Sequence, residues 1–295
     1  MWGFLTGGAV FLQQLINGLI LGGAYALISV GLTMSFGIMK ISNFAHGTIY
    51  MLGGYACYFL GTHLGLPFFV SVALSMLAIG VVGILIERLV FRPIYEGPPL
   101  NDLLVSLGLL IFLENGVQLL WGTETLKVSA PYTDTMISIF GALCTLQRLV
   151  VLIASVVLIA ALYVFLRFTK MGRAVVATSQ NPRGASLVGI NIPMIYMITF
   201  AISSAFAASA GALLAPIFYV YPTMGGMPLL MAFVVVVLGG MGNVQGAVAG
   251  GFIIGIAESL GGAYISSDYK NGFAFIILIG MLLIRPQGLF GGKAS

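Results

Sequence analysis

The amino-acid sequence predicts an all-α fold: a polytopic integral membrane helical bundle of eight or nine spans. Hydrophobic residues make up 60% of the 295 positions, only 7% are charged, and the mean hydropathy is +1.11. Apolar runs of about twenty residues recur along the chain, and each is long enough to cross a hydrocarbon core of roughly 30 Å. A soluble domain would carry roughly 25% charged residues, so that class is excluded.

The apolar runs place nine candidate spans in a single transmembrane domain that covers residues 1–295. In order, they cover residues 10–36, 41–60, 66–86, 99–121, 149–166, 193–215, 228–239, 244–263 and 272–284. The seventh run has only about a dozen residues and is interpreted as a half-helix or re-entrant element. The count is therefore eight or nine. The Gly-rich segment 239–251 is predicted to contain a hinge or a broken helix, with tight helix packing as the alternative.

The N-terminus and the cysteines predict little further processing. No basic residue precedes the first apolar run, and that run is too long for a cleavable signal, so the first span is expected to stay in the mature protein. The chain has two cysteines, Cys57 and Cys144, which are interpreted as packing residues because two such positions imply no disulfide framework.

A basic loop at residues 167–192 interrupts the apolar pattern. It carries four of the 12 Lys and Arg residues and no Asp or Glu: Arg167, Lys170, Arg173 and Arg183. Cytoplasmic loops carry the excess of Lys and Arg. With this loop in the cytoplasm and nine crossings, only Lys127, Arg148 and Lys270 of the 12 fall outside. This distribution predicts an extracytoplasmic N-terminus and a cytoplasmic C-terminus, and it makes the basic loop the main surface for a soluble partner.

Polar residues inside the spans are candidates for a translocation path, because a charge buried at mid-span costs on the order of 3 kcal/mol. Gln13 and Asn17 are four residues apart and share a helix face, while Gln14 points roughly 100° away. Helix–helix hydrogen bonds or interfacial positions are the alternative for each candidate. The candidates are Gln13, Asn17, Asn43, His46, Glu114, Gln118, Asn243, Gln245 and Glu258.

Enzymatic chemistry and nucleic-acid binding find little support. The sequence has no H-E-x-x-H, no C-x-x-C and no complete Walker A motif, so neither a catalytic site nor a metal site is predicted. The net charge of +4 is small, and the topology of a membrane protein already explains where it lies. We therefore expect a transport protein without nucleic-acid partners.

Several segments resemble the permease subunits of branched-chain amino-acid ABC importers of the LivH type. They are NGLILGGAYALISVGLTMSFGIMKISNFAHG (17–47), GRAVVATSQNPRGASLVGIN (172–191), the Gly-rich segment with its continuation (238–271), and LLIRPQGLFG (282–291). The resemblance covers nearly the whole chain in the same order. It implies a subunit of the bacterial cytoplasmic membrane that moves amino acids by alternating access.

The resemblance also implies partners and a coupling site. The partners are a second homologous permease, two cytoplasmic ATP-binding subunits, an extracytoplasmic substrate-binding protein and membrane lipid; the permease needs no cofactor, because its partners use the ATP. The basic loop resembles the segment that lies in a groove of the ATPase. The residues implied for that contact are Gly172, Arg173, Asn181, Pro182, Ala185, Gly189 and Ile190.

Alternatives stay open at this point. Many family members have Glu directly after the NFAHG stretch, whereas this chain has Thr48, so a charged role there does not carry over. Other amino acids, urea, short amides and aromatic acids are possible substrates beside leucine-like ones. The partner permease could be a second copy. A secondary transporter or channel driven by an ion gradient would instead use Glu114, Glu258 and His46 as ion or proton sites, and an intramembrane enzyme is the weakest reading.

Overall fold

The structure is a computed structural model that describes residues 2–95, 97–139 and 142–291. Within these ranges the chain forms eleven α-helices and one two-stranded hairpin. The helices are α1 (Trp2–Met34), α2 (His46–Thr62), α3 (Phe68–Ile86), α4 (Pro99–Trp121), α5 (Leu146–Phe168), α6 (Lys170–Gln180), α7 (Pro182–Leu187), α8 (Ile192–Phe218), α9 (Gly226–Gly239), α10 (Val244–Tyr264) and α11 (Lys270–Ile284). The strands are β1 (Met136–Ile139) and β2 (Ala142–Thr145).

The predicted fold class is confirmed, because each of the nine predicted spans coincides with one helix. Six helices are long and apolar enough to cross a membrane by themselves: α1, α3, α4, α5, α8 and α10. The helices α9 and α11 are shorter and apolar, with 14 and 15 residues. Of the remaining three helices, α2 has 17 residues and lies in the bundle, while α6 and α7 lie inside the basic loop.

The most extensive helix contact joins α1 and α10, which run antiparallel. Gly18 lies against the backbone of Ile256, and Gly22 lies against Phe252. In lipid, glycine at such positions lets two backbones approach closely and gain dispersion contacts. The two backbones therefore stay in close contact from Gly18 to Ala26 of α1.

Helix α8 occupies the centre and packs against α1, α2 and α3. Gly53 of α2 meets the backbone of Ala208. Ser203 is buried, donates a hydrogen bond to the carbonyl of Gly31 at 2.7 Å, and accepts one from the Ser35 hydroxyl at 2.7 Å. These bonds satisfy the serine hydroxyls inside the bundle, where an unpaired hydroxyl would be costly.

The chain between α1 and α2 turns back into the bundle. After α1 come one π-helical turn, Ser35–Met39, and then Lys40, whose φ of 58° is left-handed and ends the helix. His46 contacts Ile28 of α1, so the chain after Lys40 has turned back along α1 toward the middle of the bundle. The predicted span 41–60 is therefore wrong at its start, because residues 41–45 are not helical and α2 begins inside the bundle.

Helix α9 begins at the same depth in the bundle as α2, but the chain reaches that depth from the opposite end of the bundle. The chain leaves α8 and re-enters the bundle through residues 219–225, and the backbone of Gly225 contacts that of Gly47. The N-termini of α2 and α9 therefore meet in the middle of the bundle, and the two helices run away from each other. Non-helical backbone at this depth is tolerated where protein surrounds it.

The two ends of the bundle differ. The end with β1 and β2, called the hairpin end, also holds the backbone bridge between Leu126 and Val220. The end with α6 and α7, called the basic-loop end, also holds the π-helical turn and the break between α9 and α10. There Gly240 and Gly242 have φ values of 100° and 85°, which glycine adopts without strain.

Candidate functional site

A cavity of about 630 Å³ opens at the hairpin end, between α1, α8, α10 and the starts of α9 and α11. Its outer part is polar, with six side chains contributed by four helices: Gln14, Asn17, Arg148, Glu258, Ser259 and Lys270. Its deeper part is apolar: Ile20, Leu21, Ile28, Met224, Met227 and Met231. The α1 residues at the two extremes are fourteen positions apart, or about 21 Å at 1.5 Å per residue. The cavity therefore reaches the depth at which α2 and α9 begin.

Hydrogen bonds order the polar rim. The Ser259 hydroxyl donates to the Gln14 carbonyl at 2.7 Å and lies 3.0 Å from its side-chain oxygen. The Arg148 guanidinium donates to the Asn17 side-chain oxygen at 3.3 Å. These contacts join α1 to α10 and α5, so the rim is held by three separate helices.

Glu258 is the acidic residue of this cavity. It is 2% exposed, and neither carboxylate oxygen has a hydrogen-bond partner among the residues that the structure describes. The Tyr25 hydroxyl is the nearest donor to the carboxylate, and Lys270 is the nearby cation. A carboxylate in a largely apolar cavity is expensive unless a cation or a donor approaches it.

The residues predicted on α1 separate into two groups. Asn17 lines the cavity. Gln13 instead binds the hairpin: its side-chain amide donates to the Leu143 carbonyl at 2.7 Å, and the Leu143 backbone N–H donates to its side-chain oxygen at 2.6 Å. Gln14, which was expected to point away from the path, lines the cavity. Asn17 thus lines the cavity together with Gln14, three positions before it, and not with Gln13, four positions before it.

His46 is the first residue of α2 and Asn43 lies in the non-helical segment just before it; neither is in the lining of the cavity. Both are fully buried. His46 donates from Nε2 to the Ile28 carbonyl at 3.0 Å, and the Asn43 amide has no partner within the described ranges. With Gly47 and Gly225, these residues form a barrier of protein below the cavity floor.

The remaining path candidates lie elsewhere. Glu114 and Gln118 are on α4, at the periphery of the bundle and outside the cavity. Asn243 caps α10 by accepting a hydrogen bond from the Gly246 N–H at 2.9 Å. Asn243 and Gln245 line a second cleft of about 660 Å³ at the basic-loop end. The structure thus brings Asn17 and Glu258 together, and keeps Glu114 apart from both.

The second cleft lies between the ends of α1 and α5, helix α6 and the start of α10. It is lined by Met34 and Ile38 on one side and by Arg167, Arg173 and Gln180 on the other. The barrier separates it from the hairpin-end cavity. The two recesses therefore lie toward opposite ends of α1.

Side-chain caps shape the basic loop. Thr169 caps α6 by accepting from the Gly172 N–H at 2.9 Å, and Asn181 caps α7 by accepting from the Gly184 N–H at 2.9 Å. Gly172 is buried against the α5 backbone, where a side chain would not fit. Pro182 occupies the first turn of α7, where its missing N–H costs nothing.

The end of the loop turns on Gly189. Its φ is 86°, a left-handed value typical of glycine just after a helix. The Ile190 N–H then donates to the carbonyl of Ala185, which is buried. Arg173 is the one predicted coupling residue with a long exposed side chain; the others mainly build the loop.

Sequence reasoning missed two adjacent apolar residues that the loop exposes to solvent. Leu187 is 89% exposed and Val188 is 78% exposed, at the tip between α7 and Gly189. The signal was available, because two adjacent apolar residues in a polar loop outside the spans have no reason in topology. An exposed apolar pair of this kind marks a protein interface.

Among the described residues, no group of three or more His, Cys, Asp or Glu side chains could hold a metal ion. Cys57 and Cys144 are both buried and free.

Helices that pack through glycine, two opposed recesses and a structured basic loop define a polytopic membrane permease. The chain belongs to the family described as branched-chain amino acid transport system / permease component, whose model matches residues 14–282. It is thus a permease subunit of the ABC importer type, a multi-pass protein of the cytoplasmic membrane, and a transport protein and not an enzyme.

Individual relatives agree along the whole chain. The high-affinity branched-chain amino acid transport system permease protein LivH of Escherichia coli (strain K12) is 37% identical over 95% of this chain and 96% of the relative. The corresponding BraD of Pseudomonas aeruginosa is 35% identical over the same shares. The solved structure of PsaBC from Streptococcus pneumoniae in complex with Fab has a TM-score of 0.52 at 10% identity, covers 98% of both chains, and supports the fold alone.

Proposed function

We propose that this chain forms one half of the translocation path of an ATP-driven importer for branched-chain amino acids. A second, homologous permease would supply the other half, two ATP-binding subunits would drive it, and an extracytoplasmic binding protein would deliver the substrate. Salmonella typhimurium has two permease proteins named for this transport system, LivH and LivM, and LivM is 25% identical to this chain over 90% of its length. This supports a pair of homologous permeases. Family membership over nearly the whole length is the observation that carries this proposal.

The basic loop would be the contact with the ATPase. Burying Leu187 and Val188 in a groove would contribute about 1.5–3 kcal/mol for each side chain. Arg173 would add an exposed charge on the same basic loop. The caps and Gly189 hold this surface in one shape, so little conformational entropy is lost on docking.

Movement of the loop would reach the barrier through direct contacts. Helix α6 packs against the π-helical turn Ser35–Met39. That turn leads through residues 40–45 to the start of α2, where Gly47 meets Gly225. ATP and the loaded binding protein would both have to favour the same state of this barrier, since a ligand shifts an equilibrium only through differential affinity.

The cavity suits an amino acid with an apolar side chain. Both signs of charge lie at its rim, which can pair with an ammonium and a carboxylate. Its deeper part offers apolar side chains, including Leu21 and Met231. Urea and short amides would leave that part uncovered, which favours the leucine-like class.

The rival secondary transporter would need a cluster of intramembrane carboxylates. Glu114 lies at the periphery on α4, whereas Glu258 faces the cavity, so the described residues form no such cluster. The arrangement favours the ATP-driven importer.

The test replaces the exposed pair with Leu187→Asn and Val188→Asn. When the tagged double variant is purified, at least tenfold less of the ATPase subunits should copurify with it than with the wild type. ATP-dependent leucine uptake into vesicles should fall to a similar degree. The control is Met241→Asn, an exposed apolar residue at the same end but outside the loop. Wild-type uptake should survive an uncoupler, since no ion gradient drives it. Full ATPase retention and uptake in the double variant would contradict the proposed contact, and collapse of wild-type uptake with the uncoupler would contradict the importer class.

A further inference from the structure

Glu258 has the position of a ligand-binding group in the hairpin-end cavity. Its carboxylate is almost completely buried, yet it lines an open cavity. Both oxygens lack a hydrogen bond from any residue in the described ranges. Buried polar groups are normally satisfied, and each exception calls for an explanation. A carboxylate accepts hydrogen bonds most strongly from a cation.

The surrounding side chains leave this position to a ligand. Arg148 is already bonded to Asn17. Ser259 is bonded to Gln14, and the Tyr25 hydroxyl and Lys270 lie near the carboxylate, although neither of its oxygens is in hydrogen-bond geometry with a described residue.

The positions along α1 and α10 set the depth of this group. Gly18 lies opposite Ile256, so Glu258 stands close to the level of Asn17. Side chains of a helix tilt toward its N-terminus, and α10 begins at the basic-loop end. The Glu258 side chain therefore leans from the polar rim toward the apolar part of the cavity.

We propose that the Glu258 carboxylate binds the α-ammonium group of the transported amino acid inside the membrane domain. The proposal deepens the function proposed above and rests on it. The apolar side chain of the substrate lies along Leu21 and Met231 toward the barrier, and its carboxylate stays at the rim near Arg148 and Lys270. The permease then carries selectivity of its own for an ammonium joined to an apolar chain, in addition to that of the binding protein.

The experiment measures saturable binding of radiolabelled leucine to the purified, nucleotide-free assembly of both permeases and both ATPases, without the binding protein. The competitors are unlabelled leucine and 4-methylpentanoate, which keeps the apolar chain and the carboxylate but lacks the ammonium. With the wild-type chain, 4-methylpentanoate should compete at least tenfold more weakly than leucine. This comparison needs no variant, so it does not depend on the folding of a mutant.

The variants are Glu258→Gln and the matched control Glu114→Gln, which removes a carboxylate outside the cavity. Glu258→Gln should weaken leucine binding at least tenfold, the effect of losing one charge-assisted hydrogen bond. It should leave the weak competition by 4-methylpentanoate unchanged, whereas a merely structural role would weaken both. Glu114→Gln should match the wild type.

Three results overturn the proposal: no saturable leucine binding to the wild-type assembly, equal competition by the two ligands, or wild-type leucine affinity in Glu258→Gln. Failure of the proposed function looks different. It appears as absence of ATP-dependent leucine uptake by the complete wild-type system, whatever Glu258 does.

Discussion

Replacing Gly18 with alanine tests the contact between α1 and α10. A Cβ atom at this position would lie 2.6 Å from the Cα of Ile256 and 3.1 Å from the carbonyl oxygen of Gly255. Ordinary contact begins at 3.4 Å, so the two helices must separate locally by about 3.4 − 2.6 = 0.8 Å. Both neighbours are backbone atoms, and neither can turn aside as a flexible side chain would.

The expected cost follows from this geometry. Overpacking a close contact costs about 1–3 kcal/mol. Alanine also gains roughly 0.5–1 kcal/mol over glycine inside a helix. The control Gly116→Ala, in α4, gains the same term but meets no atom within 4 Å. The difference between the two variants isolates packing at about 1–3 kcal/mol in favour of the control.

Thermal denaturation of the purified permease in detergent measures the difference. At roughly 2–4 °C per kcal/mol for a chain of this size, Gly18→Ala should melt several degrees below Gly116→Ala. Equal melting temperatures would refute the reasoning, because they would mean that the α1 and α10 backbones are not in contact at Gly18.

Two further predictions concern the loop and the hairpin. Gly189→Val should leave insertion into the membrane intact but reduce ATP-dependent uptake at least tenfold, because valine does not adopt a φ of 86°. The control is Ser186→Val, which lies on the same exposed surface, and wild-type uptake by Gly189→Val would contradict the prediction. Gln13→Met should remove both hydrogen bonds to Leu143 and raise the rate of amide hydrogen exchange in β1 and β2 severalfold, with Gln14→Met as the control. An unchanged exchange rate of the Leu143 amide would show that the hairpin does not depend on α1.

Much of the bundle could be predicted from the sequence, because membrane spans follow from local hydrophobicity. All nine predicted runs are helices, and even the short run at 228–239 is a helix, α9. The error at residues 41–45 has a local cause that hydropathy does not report. Lys40 adopts a left-handed conformation and the chain turns back, although the residues that follow are apolar enough to continue a span.

The candidate site was less predictable. Asn17 and Glu258 lie 241 positions apart in the sequence and meet at one rim because α1 and α10 are antiparallel. Glu114 has the same residue type and a similar apolar surrounding in the sequence, yet α4 carries it away from the cavity. Gln13 and Gln14 are adjacent, and the rotation of α1 decides which of the two reaches the cavity. Such rotation depends on packing with other helices, which a single sequence pattern does not encode.

The sequence alone determined that this chain is a membrane bundle with one basic loop, since burial in lipid requires long apolar helices and confines the charges to the ends. The tertiary structure decided that α2 and α9 begin at the centre, that the cavities open at opposite ends, and that Glu258 lines one of them. The physical reason is the range of the forces involved. Hydrophobicity acts on each segment separately, whereas contacts such as that between Gly47 and Gly225 exist only when distant segments are packed together.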